Sequence, residues 1–151
     1  MTDNRQEILK LIPHRDPFLW VDSIVNFDQE HIVTTKKIPQ GLELFKGHYP
    51  GNPIVPGVLL CESVFQSGAL LIAKIVGDQH GSDSKVPVLS RIRHGRFKRP
   101  VFPGDSILVR VELKEKISSA WFLKGVVRVR DKIVVQIEFT CALTTHLQAE
   151  R

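Results

Sequence analysis

An α+β domain, with an antiparallel sheet wrapped on one central helix, is the fold class the sequence predicts. Three observations predict it. One long apolar segment, 57–76, is the only stretch that reads as a long helix. A chain of β-rich segments follows it, joined by short turns. A loop stiffened by prolines and glycines precedes it.

Taken in order, residues 4–11 form a short helix that offers Ile8, Leu9 and Ile12 for packing, and Pro13 stops it. His14-Arg15-Asp16-Pro17 reads as a turn. Residues 18–27 and 31–38 read as the first two strands, rich in β-branched side chains. Residues 39–56 hold Pro39, Gly41, Gly47, Pro50, Gly51, Pro53 and Pro56, which argues for an extended loop with little freedom. Pro56-Gly57 opens the long helix, which spans about 30 Å at about 1.5 Å per residue. It is apolar almost all round, as a helix surrounded by protein should be. Residues 77–84 are a polar connection. Strands are then expected over 86–97, 106–117, 121–129 and 133–143, with Ile107, Val109, Val111 and Leu113 on one face. Arg130-Asp131-Lys132 joins the last two.

The 151 residues suit one domain over 1–151, long enough for a real core. Charged residues are 25% and hydrophobic ones 42%, a globular rather than disordered balance. The net charge of +5 favours an anionic partner without naming it. No basic block is long enough for a nucleic-acid arm. Two cysteines without a CxxC argue against a disulfide framework and make the cytosol the default. Met1 to Leu11 shows no signal peptide. Segment 58–76 is interrupted by Glu62, Ser63, Gln66, Ser67 and Lys74, so it reads as a buried helix and not a membrane span.

The chemistry is concentrated in F-K-G-H-Y-P-G-N-P-I-V-P-G-V-L-L-C-E-S-V-F-Q (45–66). Glu62 stands on the apolar helix, where burying a carboxyl is costly unless it is used. Desolvation there would favour its neutral, proton-donating form. Gln66, one turn on, can orient it by a hydrogen bond. His48, in the rigid loop, is a candidate general base. The other five histidines, His14, His31, His80, His94 and His146, show no comparable setting. Gly57 opens the helix, whose first N–H groups lack partners and carry partial positive charge. Without a Cβ it lets a carbonyl oxygen approach that N–H. The competing readings are a solvated Glu62, a loop histidine bonded to backbone, and a Pro-Gly turn. Arg91, Arg93, His94, Arg96, Lys98 and Arg99 form a basic cluster. Alternation can set Arg91, Arg93 and Arg99 on one positive stripe, suited to an acidic carrier or a phosphate, or merely solvated. There is no GxSxG, HExxH, P-loop or GxGxxG, the histidines and cysteines lack zinc-site spacing, and no cofactor is suggested.

This pattern resembles the Z-type (3R)-3-hydroxyacyl-[acyl-carrier-protein] dehydratases (FabZ-like), which have the hotdog fold. The carrying pieces, in the family's order, are L-I-P-H-R-D-P-F-L-W-V-D (11–22), the motif at 45–66, and R-F-K-R-P-V-F-P-G-D (96–105). With the strands between, they cover nearly the whole chain, and the middle motif is the specific one. The resemblance implies a homodimer whose sheets join edge to edge, often built into trimers of dimers. It implies two active sites per dimer, each combining a loop histidine from one subunit with a helix acid from the other. Carried over by motif position, these are His48 and Glu62. Gly57 would supply the N–H to the thioester carbonyl, and Gln66 would orient the acid. The implied reaction is reversible loss of water from a 3-hydroxyacyl thioester held on an acyl carrier protein. Either the pair shares the proton transfers or His48 carries both. A hotdog thioesterase and a non-catalytic acyl-binding module are the alternatives. The chain departs from the family at Asp16, where tyrosine is usual, at Ser63-Val64-Phe65, where alanine and methionine are common, and at Ser90-Arg91, where a small-residue turn with glycine is expected. Phe65 is expected to alter tunnel depth or interface packing. None of these departures touches His48, Gly57, Glu62 or Gln66.

Overall fold

The structure, a computed structural model, describes residues 4–77 and 85–145. Its elements are α1 (Arg5–Leu11), β1 (Ser23–Phe27), β2 (His31–Lys37), a 3-10 turn (Glu43–Lys46), α2 (Gly57–Val76), β3 (Lys85–Phe97), β4 (Ser106–Ile117), β5 (Ala120–Val129) and β6 (Lys132–Thr145). The six strands form one antiparallel sheet in the order β1-β2-β4-β5-β6-β3. The expected α+β architecture, one long helix held by one curved sheet, is therefore present. Most of the predicted polar connection, 78–84, lies outside the described residues, as do His80 and His146.

Alternation builds the core. Ile107, Val109 and Val111 of β4 are buried, as are Leu123 and Val127 of β5 and Val135, Ile137 and Phe139 of β6. Helix α2 lies on this face, with Leu60, Val64, Leu70, Leu71 and Ile72 buried. Its length and composition alone would let it cross a membrane. Here 61% of that apolar stretch is buried inside the protein, so the sheet takes up its apolar surface. A cross-strand row, Ile32, Val111, Gly125 and Ile137, runs beneath the helix. A Cβ on Gly125 would lie 2.2 Å from Val64 Cγ1, so this glycine sets how closely helix and sheet approach. The β5–β6 hairpin turns through Arg130 and Asp131, at φ 48° and 66°, the left-handed backbone such tight connections need.

Two expectations need correction. The first strand does not run from Phe18 but begins at Ser23. The backbone of 18–20 is engaged by the helix: Trp20 N–H donates to Gln66 Oε1 (2.8 Å), Gln66 Nε2 donates to Phe18 O (2.7 Å) and Ser63 Oγ donates to Trp20 O (2.8 Å). Those groups are unavailable to a ladder. The second correction concerns β3, which is not a regular strand. Bulges between Leu89 and Arg91 and between Arg93 and Arg96 reset its phase. Arg91, Arg93 and Arg96 face Thr140, Glu138 and Gln136, alternate residues on one side of β6. Leu89, Ile92 and Phe97 face the buried Cys141, Phe139 and Val135 on the other side. The basic stripe is thus Arg91, Arg93 and Arg96, on the face away from α2, and does not include Arg99. Arg91 adopts no left-handed backbone, so the glycine expected there is not required.

Candidate active site

The loop before α2 folds back on itself around His48. Its Nδ1 lies 2.9 Å from Ile54 O. A carbonyl can only accept, so Nδ1 carries a hydrogen, and in the neutral ring Nε2 then holds the lone pair. That is the tautomer a general base needs. Tyr49 packs edge-on against the ring at 4.8 Å. His48, Tyr49, Gly57, Phe97, Lys98 and Arg99 share a cleft of ≈ 400 Å³. The N-terminus of the 20-residue helix α2 opens onto it.

Gly57 has a second reason to be glycine. A Cβ there would meet Phe97 Cε1 at 2.7 Å. The phenyl ring leans over the first turn of α2, filling the space a side chain would take and narrowing the way to the helix amides.

Glu62 does not line the cleft that holds His48. Its Oε1 accepts a 2.9 Å hydrogen bond from Gln66 Nε2, as the one-turn spacing predicts. The side chain retains 19% exposure, so it is neither freely solvated nor fully buried. Gln66 is wholly buried and satisfied on both ends of its amide, by Trp20 N–H and by Phe18 O and Glu62. Ser67 extends this polar seam, donating to Ser63 O and sharing a 2.7 Å bond with Thr34 on β2.

The residue that sequence reasoning passed over is His14. Its Nε2 stands 3.6 Å from Glu62 Oε1. The signal was present in the segment P-H-R-D-P-F, but its contact with α2 exists only after residues 12–20 dock on the helix. Burial pushes the His14 pKa below the ordinary imidazole value, outweighing the raising effect of Glu62, and Arg15 adds to the lowering. Both cysteines are free and buried. Burial, then the Glu62 charge, pushes the Cys61 thiol up, and burial pushes Cys141 up to about 12.

Of the basic residues, Lys98 and Arg99 join His48 and Gly57 at the cleft, with Arg99 Nη1 donating to Ile133 O at 2.8 Å. Arg93 lies elsewhere, in a hollow of ≈ 150 Å³ with Lys114 and Glu138. Asp16 is paired with Arg5 and Phe65 packs edge-on against Phe139 at 5.1 Å, so both departures have local partners.

Comparison with known proteins speaks to the family and the fold. The FabA-like domain model matches residues 12–138. A 3-hydroxyacyl-[acyl-carrier-protein] dehydratase FabZ of Acidovorax sp. (strain JS42) is 39% identical over 92% of this chain and 96% of its own. One from Caulobacter vibrioides is 40% identical over 88% of this chain and 83% of its own. Among solved structures, the dehydratase heterocomplex ApeI:P from Xenorhabdus doucetiae superposes with a TM-score of 0.77 at 14% identity, covering 91% of each chain. A hypothetical thioesterase from Streptococcus pneumoniae, solved with coenzyme A, gives 0.61 at 15% identity over 83% of this chain and 88% of that one. At such identities these two structures speak for the shared fold alone.

Proposed function

The chain belongs to the FabA-like family, as a FabZ-type dehydratase with the hotdog fold, and on that premise we propose that it removes water from (3R)-3-hydroxyacyl thioesters held on an acyl carrier protein. The observation that carries the proposal is the placement of His48: its Nδ1 is held by Ile54 O at a cleft that also receives the N-terminus of α2.

In the proposed reaction the thioester carbonyl oxygen approaches the Gly57 N–H. His48 Nε2 takes the α-proton, and the enolate charge is met by the helix amide, a donor worth roughly 3–4 kcal/mol in comparable sites. The Cα=Cβ bond forms as the β-hydroxyl departs with a proton, leaving as water and giving the trans-2-enoyl thioester. Glu62, oriented by Gln66, is the acid that assists this departure. Because Glu62 does not face His48's cleft within one chain, we assign the acid to a partner subunit. The exposed apolar row Leu89, Ile92 and Phe97 on the edge strand β3 supports a partner at that edge. Lys98 and Arg99, at the cleft mouth, suit an acidic carrier, while Arg91, Arg93 and Arg96 offer it a second, outer surface. One catalytic domain over 1–151, working in the cytoplasm, fits the two free buried cysteines and carrier-linked chemistry.

The test is incubation with a 3-hydroxyacyl carrier thioester. Enoyl absorbance supports dehydration; release of free thiol instead identifies a thioesterase, and neither signal identifies a binding module. His48→Ala should lose turnover by about a hundredfold or more while keeping its circular dichroism. Full activity in that variant removes His48 as the base. Arg99→Glu should raise KM for the carrier-linked substrate far more than for a short thioester analogue, and equal effects would remove the docking role.

A further inference from the structure

His14 is held firmly against the acid by the chain around it. Arg15 clamps the segment from the far side, donating to Leu9 O (2.7 Å), Ile12 O (2.8 Å) and His14 O (2.7 Å), and Phe18 N–H donates to Arg15 O (2.8 Å). Gln66 fixes the other end, since one amide nitrogen serves both Phe18 O and Glu62 Oε1. The imidazole is stacked near Phe18, with ring centroids 6.4 Å apart. Its Nδ1 is buried and has no hydrogen-bond partner among the described residues.

These facts fix the proton. A lone pair on Nε2 would face the carboxylate's own lone pairs, so Nε2 carries the hydrogen and Nδ1 is bare. Protonating Nδ1 would bury an N–H with no acceptor among the described residues beside the Arg15 charge, which disfavours the charged ring. A neutral donor orients a carboxyl without forming a full ion pair with it. At 3.6 Å the contact is an electrostatic one, longer than a formed hydrogen bond, and contacts of this kind shorten when substrate closes a site.

We propose that His14 is a positioning residue for Glu62: its Nε2–H and the Gln66 amide together engage Oε1, turning Oε2 toward the reacting hydroxyl. The proposal rests on the reading of Glu62 as the acid. It adds a second side chain, after Gln66, to the acid's setting, drawn from a segment that Gln66 itself holds by donating to Phe18 O.

The experiment compares three variants on the full chain with a 3-hydroxyacyl thioester. His14→Leu should lower kcat by about 10- to 100-fold with KM little changed, the size expected when a reacting group is misplaced rather than removed. His14→Gln keeps an N–H at the reach of Nε2 and should recover most of that loss. His14→Asn places its N–H at the Nδ1 position and should not. Thermal melting of each variant separates this pattern from simple loss of fold, and if His14→Leu does not fold, the Gln against Asn comparison decides. Wild-type kcat in His14→Leu, or equal kcat in the Gln and Asn variants, overturns the proposal. Glu62→Ala, measured alongside, keeps the two readings apart: turnover retained there removes the acid assignment and this proposal with it, whereas an inactive Glu62→Ala with a silent His14 series removes the positioning role alone.

Discussion

Two imidazoles carry their hydrogens on opposite nitrogens, and each position follows from the group it faces. His48 gives its Nδ1 hydrogen to Ile54 O, which frees Nε2 for a proton. His14 turns Nε2 to Glu62 and keeps Nδ1 buried. The second arrangement has a consequence for stability. Desolvation lowers the His14 pKa below 6.5, with Glu62 opposing and Arg15 reinforcing. As pH falls through 6.5 the unfolded chain binds the proton before the folded one does. Stability is therefore complete above that value and declines as pH drops toward the folded pKa. Carboxylates held low by their partners, Asp28 and Glu112, lose their contributions only at pH below their ordinary 3.8 and 4.5. Melting temperature measured between pH 6.5 and 4.5 should thus fall less steeply in His14→Gln than in the wild type; parallel curves would show that His14 titrates alike in both states. His48 was legible in the sequence because stiff loop residues flank it on both sides. His14 was not, because its neighbours in the chain say nothing of a helix nearly fifty residues away.

At the scale of elements, α2 declared itself from composition, and its bounds 57–76 match the apolar run bracketed by Pro56-Gly57 and Gly77. The later strands were legible by alternation. The failures were places where a backbone group found a partner other than a neighbouring strand. Residues 18–20 look like β-structure in sequence, yet Phe18 O and both backbone groups of Trp20 are taken by Gln66 and Ser63. The two bulges of β3 leave no compositional mark beyond His94-Gly95, where His94 turns to φ 50°. They matter because they keep three apolar side chains on one face and three arginines on the other, which unbroken alternation cannot do. The tight fit of Val64 over Gly125 gives a direct test of the packing. Gly125→Ala should destabilise by about 1–3 kcal/mol through overpacking. Val64→Ala in the same chain should recover part of that loss, because the clash is with a Val64 methyl. Chemical denaturation of the single and double variants measures both, and strictly additive losses would show that the contact does not limit the approach of helix to sheet.

The whole molecule presents an unfinished edge. β3 is 13 residues long, stands at the end of the sheet, and pairs on one side only, with β6. A long open edge invites pairing unless it is short, charged or covered. Its outer side is charged, but its core side is not. Leu89, Ile92 and Phe97 face the buried Cys141, Phe139 and Val135 of β6 and yet remain 39%, 53% and 56% exposed. Val58, at the start of α2, adds 73% exposure nearby in the same apolar setting as the cleft residue Gly57. An apolar core face that runs out into solvent beside the cleft that holds His48 is completed most simply by a second copy meeting it across a two-fold axis. The same contact would bring a partner's Glu62 toward the cleft that Glu62 of its own chain does not reach. Assembly and activity are then one property. Ile92→Asp, which places like charges close together across such a seam, should convert the protein to monomers by light scattering, abolish turnover, and leave the circular dichroism unchanged. A wild-type protein that is monomeric at micromolar concentration and fully active would refute the shared site, as would an Ile92→Asp monomer that still dehydrates its substrate.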